Sequence, residues 1–173
     1  MASKIKVDQI QTADGSGTIA LQNQLSGMTS ASMPTGSVLQ VVNATTTSET
    51  TTTSTSFVTT TLTGSITPSS TSNKILVAFS SCVRKNTSNP SLILTLFRGT
   101  VGGTNLAGDW GFGIVSGNTG EVDVAGVSAT YLDSPSTTSS QTYTVGFRCS
   151  TADSVMVQVN GSKSTMTLME IAG

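Results

Sequence analysis

Lys74-Ile75-Leu76-Val77-Ala78-Phe79-Ser80-Ser81-Cys82-Val83-Arg84 carries Ile75, Val77, Phe79 and Val83 in a single alternating phase. Side chains on a strand point to opposite faces in turn, so these four share one buried face of a β-strand. The same pattern returns near the C-terminus. Tyr143, Val145, Phe147 and Cys149 alternate within Gln141–Ser150, and Val155, Val157 and Val159 alternate after it. Met166 and Leu168 share a phase with the polar Glu170. Between such runs lie clusters of turn residues, among them Thr67-Pro68-Ser69-Ser70-Thr71-Ser72-Asn73, Asn86 to Pro90, Gly99 to Gly103, Ser116 to Gly120, Ser134 to Ser140 and Asn160-Gly161.

Working outward, the pattern predicts strands near Ser37–Asn43, Ser56–Thr67, Lys74–Arg84, Ser91–Arg98, Trp110–Val115, Glu121–Leu132, Gln141–Ser150, Ser154–Asn160 and Thr165–Ile171. No stretch sustains a 3.6-residue period with caps, so helix is nearly absent. The expected fold is all-β: an N-terminal β-hairpin or short β-shaft over residues 1–35, then a jelly-roll-like antiparallel β-sandwich over residues 36–173. Within the first part, Ile5-x-Val7 returns as Ile19-x-Leu21 around an Asp14-Gly15-Ser16-Gly17 turn. Such a hairpin has too few apolar residues to stand alone. Ile5, Val7, Ile19 and Leu21 are therefore the candidate anchor and oligomer contacts, the alternative being an edge hairpin folded back on the sandwich. Gly27, Thr29 to Ser32 and Pro34-Thr35-Gly36 read as a linker.

The 173 residues carry 8 Lys and Arg against 9 Asp and Glu, a net charge of −1. The basic residues are scattered, and nothing resembles the cationic patch of a nucleic-acid or membrane-surface partner. Roughly a third of the chain is Ser or Thr, far above ordinary usage. Thr favours strands and keeps a hydroxyl for water, so solubility need not rest on charge. Disorder is the reading for the Thr45–Ser56 tract, but a mean hydropathy of +0.11 argues against it for the chain as a whole. Met1–Ile10 has no apolar run and reads as no signal peptide. No stretch approaches a membrane span of about 20 apolar residues.

The chain contains no histidine. The commonest general base and the commonest metal ligand are thus both missing. Glu121 and Asp123 would share a strand face, but without a basic partner nearby they read as solvated side chains. Beside Ser116-Gly117-Asn118 they offer oxygen atoms of the kind Ca²⁺ takes, yet the D-x-D-x-D-G pattern is absent and no metal is assigned. No G-x-S-x-G surrounds any serine, and no base stands ready to activate one. Catalytic, metal and cofactor-binding residues are accordingly none. Cys82 is out of phase with Ile75, Val77 and Phe79, whereas Cys149 is in phase with Phe147. Two buried free thiols are expected, with a bridge between the two strands as the alternative. In Gly108-Asp109-Trp110-Gly111-Phe112-Gly113 the alternating glycines let backbone pass closely. Filling the core or a subunit interface is the first role for Trp110. The alternative makes Trp110, with Phe112 and Asn118, a candidate ligand contact, since sugars stack on exposed aromatics.

Several segments carry a family resemblance. Ser3-Lys4-Ile5-Lys6-Val7-Asp8-Gln9-Ile10-Gln11-Thr12, running into Gly17-Thr18-Ile19-Ala20-Leu21, resembles the N-termini of virion proteins of marine and cyanobacterial tailed phages. So do Pro34-Thr35-Gly36-Ser37-Val38-Leu39-Gln40-Val41-Val42, Ser65 to Val77, Leu96-Phe97-Arg98-Gly99, Tyr131-Leu132-Asp133-Ser134-Pro135 and Leu168-Met169-Glu170-Ile171-Ala172-Gly173. The segments span both halves of the chain in order. The resemblance implies tail-fibre-like or particle-surface structural proteins, β-rich homotrimers without enzymatic activity, assembled into virions in the host cytoplasm. The expected function is a fibre- or spike-like component, anchored by its N-terminus to other virion proteins and displaying a sandwich knob for host attachment, with a host-surface glycan as ligand. A capsid decoration (cement) protein that stabilises the head is the alternative. A cellular carbohydrate-binding module is the rival from another class.

Overall fold

A computed structural model describes residues 33–86, 91–116 and 124–173. The expected N-terminal hairpin, with Ile5, Val7, Ile19 and Leu21, lies outside the described residues. Eleven strands occur among those described: β1 (Val38–Thr46), β2 (Thr50–Thr52), β3 (Val58–Ile66), β4 (Lys74–Lys85), β5 (Leu92–Arg98), β6 (Thr104–Asn105), β7 (Gly113–Val115), β8 (Val124–Asp133), β9 (Gln141–Cys149), β10 (Val155–Val157) and β11 (Ser164–Ile171).

Register reduces these strands to eight rows. Along one edge of β4, Val155–Val157 of β10 pair with Lys85–Val83, and Thr165–Ile171 of β11 pair with Ser80–Lys74. β10 and β11 are therefore one row, broken by a short 3-10 turn over Val159–Gly161. β2 pairs with β10 and β1 with β11, which makes β1 and β2 a second broken row. β6 and β7 together form a third, both pairing with β5. The first sheet then reads β8, β4, β10/β11, β1/β2, and the second β3, β9, β5, β6/β7, all antiparallel. The chain enters the first sheet and crosses to the other at each successive row, except between β5 and β6/β7, which are neighbours. Two four-stranded sheets joined in this order are a jelly roll. The all-β sandwich expected from alternation is the fold observed.

Three local expectations are corrected. The Thr45–Ser56 tract is not disordered as a whole, since it finishes β1 and supplies β2. Threonine is β-branched, and β10 and β11 offer it an in-register edge. The strand expected over Trp110–Val115 shrinks to Gly113–Val115, and that over Ser154–Asn160 to Val155–Val157. Gln158 ends the latter with a left-handed backbone (φ 55°) and a fully buried side chain. Its amide is best oriented to donate to the carbonyls of Ser48 (3.1 Å) and Thr60 (3.2 Å) and to accept from the Ser164 hydroxyl (2.9 Å). One glutamine thus satisfies backbone that the row breaks leave unpaired.

The core lies between the sheets. Ile75, Val77 and Val83 of β4 have no exposed surface, and neither do Tyr143, Val145 and Phe147 of β9 opposite. β3 joins them through a bulge: its pairing with β9 shifts between Thr59 and Thr63, and Thr61 takes φ 65°. A β-branched residue rarely adopts that conformation. The shift turns Thr60 inward to donate to the Val145 carbonyl at 2.8 Å and keeps Leu62 in the core.

One end of the sandwich closes on a buried carboxylate. Glu170 is 1% exposed. Its Oε2 accepts from Gln40 Nε2 at 2.6 Å. Its Oε1 accepts from Asn73 Nδ2 and the Ser69 backbone N–H, both at 2.6 Å, and from Ser69 Oγ at 2.8 Å. The turn between β3 and β4 is thereby tied to β11 and β1. Burial alone would raise the Glu170 pKa, but the bonds from Asn73, Gln40 and Ser69 outweigh it and hold the carboxyl below its ordinary range. A carboxylate whose pKa falls on folding contributes stability above its unfolded pKa, and that contribution disappears as pH falls through the folded value. Glu170→Gln should therefore melt below the wild type at neutral pH, by roughly 1.5–3 kcal/mol for a lost charged acceptor. Melting curves of the two proteins should converge as pH drops below the usual carboxylate range of about 4. A gap independent of pH would show that the charge is not what matters.

Candidate functional site

Trp110 is 64% exposed and so does not fill the domain core. The loop that carries it, between β6 and β7, is nevertheless firmly held. Asn105 anchors it from within: Oδ1 accepts from Thr95 Oγ1 (2.6 Å) and from the Ala107 N–H (3.1 Å), while Nδ2 donates to the Gly108 carbonyl (3.0 Å). Arg148 of β9 holds it from outside, Nη2 donating to the Asp109 carbonyl at 2.9 Å. Gly111 has φ 62° and lies so close to the Leu94 carbonyl that no Cβ would fit there. Phe112 N–H then donates to that carbonyl at 2.8 Å. This turn sends Phe112 inward and leaves Trp110 outside.

The two aromatics named as candidate ligand contacts therefore part company. Phe112 is half-buried and packs edge-on between Phe79 (6.4 Å) and Tyr131 (5.6 Å). Trp110 instead follows Asp109, one of a group of residues that sequence reasoning missed. Next to it in the chain, Asp109 lines an open hollow of about 380 Å³ with Thr55, Ser56, Phe57 and Arg148. The Arg148 guanidinium lies over the Phe57 ring at 5.2 Å and donates to the Thr55 carbonyl at 3.3 Å. Alternation offered one signal for Arg148, which is out of phase with Tyr143, Val145 and Phe147 and had to face outward. Nothing local in the sequence connects Phe57 to Asp109. Asn118, Glu121 and Asp123 lie outside the described residues.

The exposed indole, and in the neighbouring hollow a cation whose carbon already stacks on a ring with hydroxyls from Thr55 and Ser56, are groups that suit a flat polar ligand with apolar C–H faces. Among the described residues no group of three or more Cys, Asp or Glu could hold a metal ion. The buried ionisable cluster elsewhere is structural. Tyr143 Oη donates to Asp133 Oδ2 at 2.7 Å, and Arg98 pairs with the same carboxylate at 3.3 Å. Burial first, and then the hydrogen bond and charge of Asp133, push the Tyr143 phenol far above its ordinary range, so it stays a protonated donor. Both cysteines are free. Cys149 is buried as expected, but Cys82 is only half-buried, because its phase on β4 turns it to the outer face of the first sheet. No helix among the described residues is long and apolar enough to cross a membrane.

No protein-family model matches the chain, and no curated protein is significantly similar to it.

The two aromatics should respond differently to truncation. Trp110→Ala should change stability by less than about 1 kcal/mol, as exposed substitutions do. Phe112→Ala should lose roughly 3 kcal/mol or more through the cavity it leaves. Urea unfolding of both variants checks this, and an equal loss in the two would mean that Trp110 packs as a core residue.

Proposed function

We propose that this chain is a structural protein of a tailed-phage particle, a trimeric fibre- or spike-like component. Its jelly roll offers the Trp110 surface to a host-surface glycan, and its N-terminal segment attaches to other virion proteins. The observation that carries the reading is an exposed indole on a pre-ordered loop, next in the chain to Asp109, whose carbonyl Arg148 holds. Exposed tryptophan is seldom left uncovered without use, and a rigid aromatic binds at little entropic cost. The ordered resemblance across both halves of the chain supports the virion setting. Catalysis is not part of the reading: no histidine is present to serve as a base.

A second reading, capsid decoration, draws on a different observation. Val38, Val41 and Leu132 are about half exposed on the first sheet, away from Trp110. A cement protein would use such a surface against its neighbours and leave Trp110 idle.

Particles carrying Trp110→Ala separate the two. Display predicts lost adsorption to host cells with unchanged heat resistance of the particle. Decoration predicts normal adsorption for Trp110→Ala, and heads that fail early on heating once the whole protein is deleted. Normal adsorption with and without the protein would end the display reading.

A further inference from the structure

The cross-strand register aligns Val41 of β1 with Met169 of β11, Met169 with Leu76 of β4, and Leu76 with Leu132 of β8. Paired residues share a sheet face, so these four form one apolar row across the outer face of the first sheet. The neighbouring row on the inner face is Gln40, Glu170, Ile75 and Asp133. Three of those four are polar. At this end of the sandwich the usual polarity is inverted, with polar groups hydrogen-bonded inside and apolar groups facing out. Five large hydrophobic side chains stand exposed among the described residues: Val38 at 50%, Val41 at 58%, Trp110 at 64%, Val124 at 57% and Leu132 at 47%. Four of them lie on this face, Trp110 being the exception.

The second sheet is treated differently. Its outward apolar residues Ile93 and Phe97 are 0% and 4% exposed. Gly111 packs over Ile93, and Phe57 meets Phe97 edge-on at 5.6 Å. Among the described residues, loops cover the outer face of the second sheet and none lies over the apolar row of the first.

We infer that the outer face of the first sheet is an interface with a second copy of this chain. Its size fits. Four strands about 4.8 Å apart and nine residues long at about 3.3 Å each give a flat footprint of roughly 600 Å². With side-chain relief added, that approaches the ~800 Å² per partner of a standard interface. Its chemistry fits a chain of net charge −1 that is itself rich in hydroxyls. Past the apolar row come Asn43, Thr167, Ala78 and Thr130, then Thr45, Thr165, Ser80 and Ser128, all neutral. The charges on the described face are Lys74 at one end of β4 and Arg84 at the other, too far apart to grip a polyanion. At the Arg84 end, half-buried Cys82 pairs with Gly126, where no atom would meet an added Cβ. Among the described residues nothing lies over that position, so a docked copy would cover Cys82.

The inference deepens the oligomeric part of the proposed function and is read by mass and labelling, not adsorption, so either can fail alone. Multi-angle light scattering on the full chain should give the mass of two or three copies. Leu76→Arg and, on the edge strand, Leu132→Arg should each lower that mass or loosen the contact, while Thr100→Arg, in the exposed turn between β5 and β6, should not. Cys82 should be shielded from a thiol reagent in the wild type and lose that protection several-fold in both face variants, with Cys149 unreactive throughout. Should Leu76→Arg fail to fold, Leu132→Arg carries the test. If the N-terminal segment still holds copies together, faster Cys82 labelling at unchanged mass supports the inference. A wild type of single-chain mass overturns it, as does equal Cys82 labelling in wild type and folded face variants.

Discussion

The alternating face of β4 is the constraint on which the rest of the molecule depends. β8 pairs with it along ten consecutive residues on one edge, and β10 and β11 share the other. Ile75, Val77, Phe79 and Val83 can be buried only if a second sheet lies across them, and β9 and β5 provide it with Tyr143, Val145, Phe147 and Leu94. Both thiols are free, so no covalent link between the cysteines relieves the packing of this duty. A one-residue slip in the register of β4 would turn every one of these side chains to solvent. The broken rows follow from the same demand. Sheets that must twist and close over a common core interrupt or bulge their strands, and polar side chains seal these places, Gln158 at the break between β10 and β11 and the Thr60 hydroxyl at the bulge of β3.

Hydroxyls do for this surface what charges do elsewhere. Thr63 meets Thr144 at 3.2 Å, Ser65 meets Thr142 at 2.8 Å, and Thr46 reaches the strained Thr61 at 3.0 Å. Cross-strand pairs of this kind add modestly to sheet stability and cost no desolvation of charge. The two buried carboxylates sit where several donors converge. Glu170 has Gln40, Asn73 and Ser69, while Asp133 has Tyr143 and Arg98. Both carboxylates sit opposite Ile75 in one inner row and seal the same end of the core.

Much of the fold was legible from period-two alternation, because burial on one face leaves a direct trace in sequence. The strands carrying Ile75 to Val83 and Tyr143 to Cys149 are found where that trace put them, and the phase of Cys82, although both thiols were expected to be buried, matches its place on the outer face. What alternation could not report was polar residues in apolar phase. Glu170 follows Met166 and Leu168 with the right spacing, but its partners Gln40 and Asn73 are about a hundred residues or more away. β2 was hidden because a Thr/Ser tract reads alike as strand or coil until an edge exists for it to join. The candidate site was legible only in part. The glycines around Trp110 marked a close backbone approach, yet whether the indole faced in or out turned on the Leu94 carbonyl, on a different strand.

The two surfaces left uncovered by the described residues stand on opposite sheets, and this decides whether they compete. Trp110 projects from the loop that joins β6 to β7, beside Arg148 on the outward side of the second sheet. The apolar row of Val41, Met169, Leu76 and Leu132 belongs to the first sheet, with the whole thickness of the core between them. A sandwich is about 10 Å thick from sheet to sheet, and its two layers of outward side chains extend the separation. Copies joined through the first sheet would therefore leave each Trp110 facing away from the contact, repeated once per chain. Repetition matters for a neutral, shallow surface. A single indole with a few hydroxyls holds a sugar weakly, whereas several such surfaces on one assembly bind a glycan-coated cell together and gain avidity without any new contact. The inverted polarity at one end of the first sheet and the exposed tryptophan on the second are thus compatible with the proposed reading, in which one side assembles and the other recognises.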